Sequence, residues 1–341
     1  MNNLIQKLNL TFNSGKNPKQ LYYLKNHIRL ITPKCFFRVK LKRELEKFHS
    51  YPKEEQEYIL KRVNYYNKLT SQSVNKNEFE KKSIKLSEQP MCRQKVYYFD
   101  TFEYTRYFPQ YLKWNLLPGD IIHVPDVPNI VKSRPLSANN ANSVIMKLDK
   151  IRHFTFVKDK KHFIDKLDMI IYRGHIGCKM TRDTGEFKEN RYRFMEMYFN
   201  HSMCNVGEIK TKSCNQEFLA EKLTIRQHLD YKFIMTLEGN DVASNLKWVM
   251  SSNSIAVMPK PTCETWYMEG TLIPNYHYIE IKPDFSDLIE RVNYYIAHPD
   301  EAQAIINHAH EYIEQFKNKE REKLISLMVL DNYFKATNKN Y

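Results

Sequence analysis

No run of about 18 apolar residues occurs in the chain, so no segment reads as a membrane-spanning helix. The opening stretch, MNNLIQKLNLTFNSGK, has neither the apolar core nor the small-residue cleavage site of a signal peptide, and a cytoplasmic location is the expectation. The cysteines, Cys35, Cys92, Cys178, Cys204, Cys214 and Cys263, are scattered without paired spacing, which suits buried thiols in a reducing compartment. Two His-X-X-Cys pairs, His175 with Cys178 and His201 with Cys204, lack the second tight pair that a zinc site normally brings, and no metal site is expected. A serine nucleophile elbow, a Walker loop and a Gly-X-Gly-X-X-Gly turn are missing, and no repeat at solenoid spacing is found. Asp-X-Asp does not occur either, and acidic residues are absent from the first 43 positions.

That last absence frames the charge. Residues 1–43 contain ten Lys or Arg, and residues 1–90 hold 19 basic and 8 acidic side chains, so the leader carries most of the net +14. Such a block suits an anionic partner: nucleic acid, a phosphorylated glycolipid or an acidic membrane leaflet. The alternative is a solvated helical face. Within the leader, Lys19 to Ile31 fits an amphipathic helix with Leu21, Leu24, Ile28 and Ile31 along one side. Thr32 and Pro33 suit the N-cap and first position of a second helix. A third opens at Ser50 and Pro52, with Glu54, Glu55 and Glu57 at its positive end, and runs to about Lys68. These helices are too short and polar to stand alone and are expected to pack on the domain beyond the linker Thr70 to Pro90.

Residues 231 to 282 organise the remainder. Tyr231 to Leu237, Ile255 to Met258 and His277 to Ile281 are strand-length apolar runs, and Glu238 to Asp241 supplies a turn and an N-cap for a helix over Val242 to Met250. A short helix is expected around Thr265 to Met268. Strands without polar alternation, joined by helices, predict a parallel sheet covered on both faces, with ligands at its carboxyl ends. Upstream, Val96 to Phe99, Asp120 to Val124, Ser143 to Leu148, His153 to Val157 and Asp168 to Tyr172 also read as strands. Ser286 to Ala297, Pro299 to Phe316 and Asn318 to Lys335 read as helices. The expected division is a helical leader over 1–90, an α/β domain over 91–162, a Rossmann-like nucleotide-binding domain over 163–318, and a C-terminal helix over 319–341 that crosses back to the first domain.

The stretch EGNDVASNLKWVMSSNSIAVMPKPTCETWYMEGTLIPNYHYIEIK, with Tyr172-Arg173-Gly174 upstream and more thinly Asp126, resembles the donor half of glycosyltransferase family 90, the CAP10-like group. Its wording is nearest to the bacterial lipopolysaccharide-modifying branch, which is related to the Rumi-type protein O-glucosyltransferases. The resemblance covers about residues 95–330. It implies a GT-B-like fold of two Rossmann-like domains facing a cleft, and an inverting, metal-independent sugar transfer from a nucleotide-sugar donor, UDP-linked on the family pattern. The acceptor it implies is a lipopolysaccharide, lipooligosaccharide or related anionic glycan at the inner membrane, with the basic leader on the membrane surface. No cofactor and no nucleic acid are expected on this reading. Two other readings stay open: a nucleic-acid-binding protein that uses the basic leader with its 23 Tyr and 19 Phe, and an inactive glycan-binding relative.

Sugar transfer to a hydroxyl needs a base for the acceptor proton and cations or amides for the leaving diphosphate. With no Asp-X-Asp to hold a metal, Arg, Lys and backbone amides take the second task. The resemblance assigns the base to Asp126, followed by Pro128 as in the family although Pro125 stands where relatives often have Arg; the alternative is an ordinary turn aspartate. Arg173 matches the family's Arg-Gly and has a fork suited to two phosphate oxygens, the alternative being an interdomain salt bridge. Gly174 belongs to the same match. Gly239 allows close backbone approach, Asn240 offers a polar contact, and Asp241 is better read as an N-cap. Eukaryotic relatives place a diphosphate-binding Arg where this chain has Asn245, and Lys247 is near enough to substitute. The resemblance, with its position on the loop after Ile255 to Met258, makes Glu264 a ribose-binding acid; read from sequence alone, a helix N-terminal acid is equally suited. Trp266 could stack on a base or sugar or simply fill core, and His175 and Arg182 are lining residues.

Overall fold

A computed structural model describes residues 14–137, 139–176, 186–210, 216–339 and 341, with backbone alone over 186–189. The strands along the chain are β1 (Ile84–Lys85), β2 (Lys113–Trp114), β3 (Asn129–Val131), β4 (Ser133–Pro135), β5 (Ser143–Ile145), β6 (Leu167–Gly174), β7 (Cys204–Glu208), β8 (Tyr231–Met235), β9 (Ile255–Met258), β10 (Cys263–Thr265) and β11 (Ile279–Glu280). The chain forms two compact units. One comprises Met1–Asn17, Arg152–Pro261 and Thr271–Gln315; the other comprises Pro18–Ile151, Thr262–Gly270 and Phe316–Tyr341.

The first unit is a five-stranded, wholly parallel sheet in the order β11-β9-β8-β6-β7. Read from the β7 edge, chain order runs second, first, third, fourth, fifth, so the direction of winding reverses between β6 and β8. Ile170 pairs with both Phe233 and Cys204, and Phe233 pairs with Ile255, which places long apolar side chains in rows. On one face Ile170, Tyr172, Phe233, Met235, Val257 and Ile279 join Phe194, Met195 and Tyr198 of the helix Glu186–Tyr198. Val292, Ile305 and Ile306 of the helices Leu288–Ala297 and Pro299–Glu314 complete that cluster. Ile171, Ile234 and Ala256 point the other way and are buried as well, which is why these strands show no polar alternation.

In the second unit the helix Lys53–Tyr66 packs against the helix Lys319–Thr337 around buried charge. Glu322 accepts from Arg62, from Lys147 Nζ at 2.8 Å and from Trp266 Nε1 at 2.7 Å. Burial works to raise the Glu322 carboxyl, and the Lys147 and Arg62 charges outweigh it and hold it below the ordinary range. The described strands of this unit pair only in twos: β3 with β5 in parallel, and β4 with β10 and β1 with β2 antiparallel.

Several local expectations are corrected. Val96 to Phe99 is not a strand but part of the helix Lys95–Thr105, buried nearly all round, so its Tyr and Phe residues show no helical stripe. Asp120 to Val124 and Phe154 to Val157 are irregular, and Ser143 to Leu148 shortens to β5. Thr265 to Met268 is not a helix; Thr265 ends β10 and Met268 takes a positive φ of 56° in the turn after it. The helix expected over Val242 to Met250 covers only Leu246–Val249, with Asn245 rather than Asp241 at its N-cap position. The leader helix Lys19–Ile31 is found with the expected bounds, but Leu21, Leu24, Ile28 and Ile31 point to solvent.

Candidate donor site at the sheet's winding reversal

Where the winding of a parallel sheet reverses, the connections leave adjacent strands in opposite directions and open a crevice beyond their carboxyl ends. Here those strands are β6 and β8, and the segments leaving them are Gly174 to Ile176 and Thr236 to Asn240. One side chain fastens the two together. Arg191, from the helix Glu186–Tyr198, donates through Nη1 to the His175 carbonyl, through Nη2 to the Leu237 carbonyl and through Nε to the Glu238 carbonyl, each at 2.8 Å. A planar fork with five donors in fixed directions can hold three carbonyls this way, and a lysine cannot. Gly239 is required beside it, because a Cβ there would come within 2.6 Å of Arg191 Nη2.

Glu208 closes the β7 side of the crevice. It is fully buried, accepts from the main-chain N–H of Ile176 at 3.0 Å and of Lys210 at 2.8 Å, and lies 3.2 Å from His175 Nδ1. A carboxylate held by amides and set against one ring nitrogen fixes the orientation of the imidazole. The His175 side chain is about half exposed. Gly174 stands in register with Glu208 and packs so tightly that a Cβ would fall 2.4 Å from the Tyr172 hydroxyl.

The structure brings Arg173, Gly174, His175, Gly239, Asn240 and Asn245 together at this end of the sheet, but several hold other tasks than those expected. Arg173 donates to the carbonyls of Tyr172, Asn205 and Glu221 and to Asn205 Oδ1 at 2.6–2.9 Å, so its fork ties strand edges together. Burial pushes its guanidinium down from the ordinary range. Asn245 Nδ2 donates to the Met235 carbonyl at 3.0 Å, bracing the β8 exit. Asn240 is exposed, whereas Asp241 and Lys247 are buried. The short helix after Gly239 begins at Leu246, too late and too brief to offer a turn of free amides to a phosphate.

Asp126, Glu264 and Trp266 belong to the second unit. Asp126 is 88% exposed and 3.6 Å from Lys82. Glu264 is buried within β10, where it accepts from Arg134 Nε at 2.8 Å and from the Tyr65 hydroxyl, while Arg134 itself bonds the carbonyls of Tyr65, Tyr66 and Ser143. Trp266 is buried, stacked on Tyr66 with ring centres 3.9 Å apart, and bonded to Glu322, so here it is core. Arg182 lies outside the described residues. Of the two His-X-X-Cys pairs, Cys178 is also outside them, and His201 Nδ1 accepts from the Met203 N–H at 3.2 Å. Burial pushes the Cys204 thiol up to about 12. Neither Arg191 nor Glu208 is among the residues that the sequence singles out. An acid at the carboxyl end of the strand CNVGE is a usable signal for Glu208, while nothing near Arg191 in sequence marks it.

The comparisons with known proteins agree with this geometry. The model of glycosyl transferase family 90 matches residues 149–338, which include the whole parallel sheet. The chain is 35% identical over 314 residues to the O-glucosyltransferase LpsA of Dichelobacter nodosus, covering 92% of this chain and 94% of that protein. It is also 28% identical over 102 residues to the uncharacterized protein 035R of Invertebrate iridescent virus 3, which spans 29% of this chain and 9% of that one. A parallel sheet with a stapled crevice at its winding reversal, inside a match of this extent, places the chain in glycosyltransferase family 90: it is a glycosyltransferase.

Proposed function

We propose that the chain transfers a sugar from a nucleotide-sugar donor, UDP-linked, to a lipopolysaccharide-type or related anionic glycan, with inversion and without a metal ion. The observation that carries the donor half of this reading is the Arg191 staple between the two segments that leave β6 and β8, where parallel α/β sheets take nucleotides. The unit that contains the sheet is then the donor half of a GT-B-type arrangement, and the helical unit is the acceptor half. The diphosphate lies across Gly239 and the His175 main chain. His175, set by Glu208, hydrogen-bonds an oxygen of the diphosphate as negative charge grows there.

Asp126 takes the proton from the acceptor hydroxyl as that oxygen bonds to the anomeric carbon, while the bond from carbon to the diphosphate oxygen breaks and the nucleoside diphosphate leaves on the opposite face. The ten cations of the first 43 residues favour an acceptor carrying phosphates or acidic sugars, presented on an anionic inner-membrane surface. The O-glucosyl transfer in the name of the Dichelobacter relative favours a hexose donor. No helix among the described residues is long and apolar enough to cross a membrane.

A thermal-shift series tests the donor. A nucleoside diphosphate that binds only the folded chain stabilises it by about 2.7 kcal/mol at a hundredfold excess over its dissociation constant. Uridine diphosphate and its sugars are expected to raise the melting temperature in that manner. If none does while an oligonucleotide does, the nucleic-acid reading takes precedence.

A further inference from the structure

The leader helix Lys19–Ile31 is mounted through Tyr22, Tyr23, Asn26 and Arg29, the tyrosine rings set edge-on to Phe99. The Tyr22 hydroxyl donates to Asp100 Oδ1 at 2.7 Å, Arg29 pairs with Glu103 at 2.5 Å, and Asn26, buried, accepts from Arg29 Nη1 at 2.9 Å. The aliphatic residues of the same helix, Leu21, Leu24, Ile28 and Ile31, face outward and are 54–81% exposed. Phe36 and Val39 follow in the chain at 59% and 78%. Single exposed leucines are ordinary, but an aliphatic stripe at helical spacing on the outer side of a helix held inward by one ion pair, hydrogen bonds and tyrosine rings departs from the usual amphipathic mounting. Such a face is built for an apolar medium.

The surrounding charge selects the medium. Lys19, Lys25, Arg38, Lys40, Lys42 and Arg43 are exposed, and no acid precedes Glu44. A second copy meeting this face would set cationic leader against cationic leader. An anionic bilayer satisfies both features at once, with aliphatic side chains at the acyl boundary and ammonium and guanidinium groups at the depth of the lipid phosphates. We propose that Lys19–Ile31 is an interfacial anchor that lies in the plane of an anionic membrane and inserts Leu21, Leu24, Ile28 and Ile31. The proposal rests on the reading that transfer takes place at a glycolipid surface, and it adds insertion to what charge alone would do. The helix, 13 residues long, covers about 20 Å of that plane.

The test is co-sedimentation of the full chain with phosphatidylcholine vesicles, with and without phosphatidylglycerol. Binding is expected only with phosphatidylglycerol, and part of it should persist at about 1 M salt, where the Debye length falls to about 3 Å. The triple variant Leu24→Ser, Ile28→Ser, Ile31→Ser should lower the partition by about tenfold or more while leaving melting temperature and transfer to a soluble acceptor unchanged, because these side chains are already in solvent. In a Leu24→Trp variant, brominated lipid should quench the new indole. Wild-type partition by the triple variant, complete release at high salt, or a dimer that the triple variant disperses would each overturn insertion. The nucleotide thermal shift is independent of all of these, so failure of the anchor and failure of the donor reading are told apart.

Discussion

Arg191 Nη2 stands 2.6 Å from the point that a Cβ on Gly239 would occupy. The fork reaches its three carbonyls because residue 239 has no side chain, so Gly239→Ala should push the guanidinium off at least one of them. One lost charge-assisted bond costs about 1.5–3 kcal/mol. Both stability in urea and nucleoside-diphosphate affinity by calorimetry should fall, the latter by about tenfold for each 1.4 kcal/mol that reaches the loop. Arg191→Lys keeps the charge without the fork and should behave alike. Normal nucleotide binding by both variants would move the donor away from the β6 and β8 exits.

Asp126 offers a cleaner separation of chemistry from folding. Its side chain is almost fully in solvent, so Asp126→Asn should change stability by no more than about 0.5 kcal/mol. If it is the base, transfer should fall by about 100-fold or more while donor binding persists. Transfer rate and unfolding midpoint of the same preparation decide the matter, and undiminished transfer removes Asp126 from the mechanism.

The chain has no Asp-X-Asp with which to bridge a divalent ion and a diphosphate. Initial rates are therefore expected to be the same with and without EDTA. A rate abolished by chelator and restored by manganese or magnesium would replace the cation-and-amide account of the leaving group.

Two buried histidines give the fold a dependence on pH. His228 is pushed down from 6.5 to about 4 by burial, and His277 to the same value by burial and, less, by His308. His277 Nδ1 already accepts from the Ile273 N–H at 2.9 Å, an interaction that protonation removes. Both rings stay neutral in the fold and take up a proton on unfolding. Their contribution is complete above the unfolded value of 6.5 and is lost as pH falls towards 4. The urea midpoint should drop through that window, and His228→Gln should make the drop shallower; an unchanged slope would mean that this ring is already protonated in the fold.

What the sequence discloses depends on how far away each residue's partner lies. β8 and β9 are legible because Phe233, Ile234, Ala256 and Val257 are buried on both faces of the sheet, and burial of that kind leaves an unbroken apolar run. The helix Lys95–Thr105 reads as a strand because its Tyr and Phe residues favour strands locally, while its fully buried carboxylate, Asp100, is satisfied by Tyr22 and by the Lys150 N–H. Glu264 looks like a helix acid because Arg134, 130 positions earlier, is invisible in the surrounding wording. Arg191 escapes notice for the same reason: its acceptors, Leu237 and Glu238, are 46 and 47 positions on.

Glu322 also sets an order of assembly. Arg62, Lys147 and Trp266 each direct a donor at its carboxylate. During synthesis a chain emerges from its N-terminus, at about 5–20 residues per second. All the strands of the parallel sheet precede residue 281, whereas the helical unit still lacks the carboxylate for two cations until residue 322 has left the ribosome. The sheet is thus able to mature first, and the helical unit closes last, although Pro18–Ile151 of that unit is made before any strand of the sheet. A chain that ends at residue 318 should hold a protease-resistant sheet beside a protease-sensitive leader, and loss of the last helix should be felt at Arg62, about 260 positions upstream.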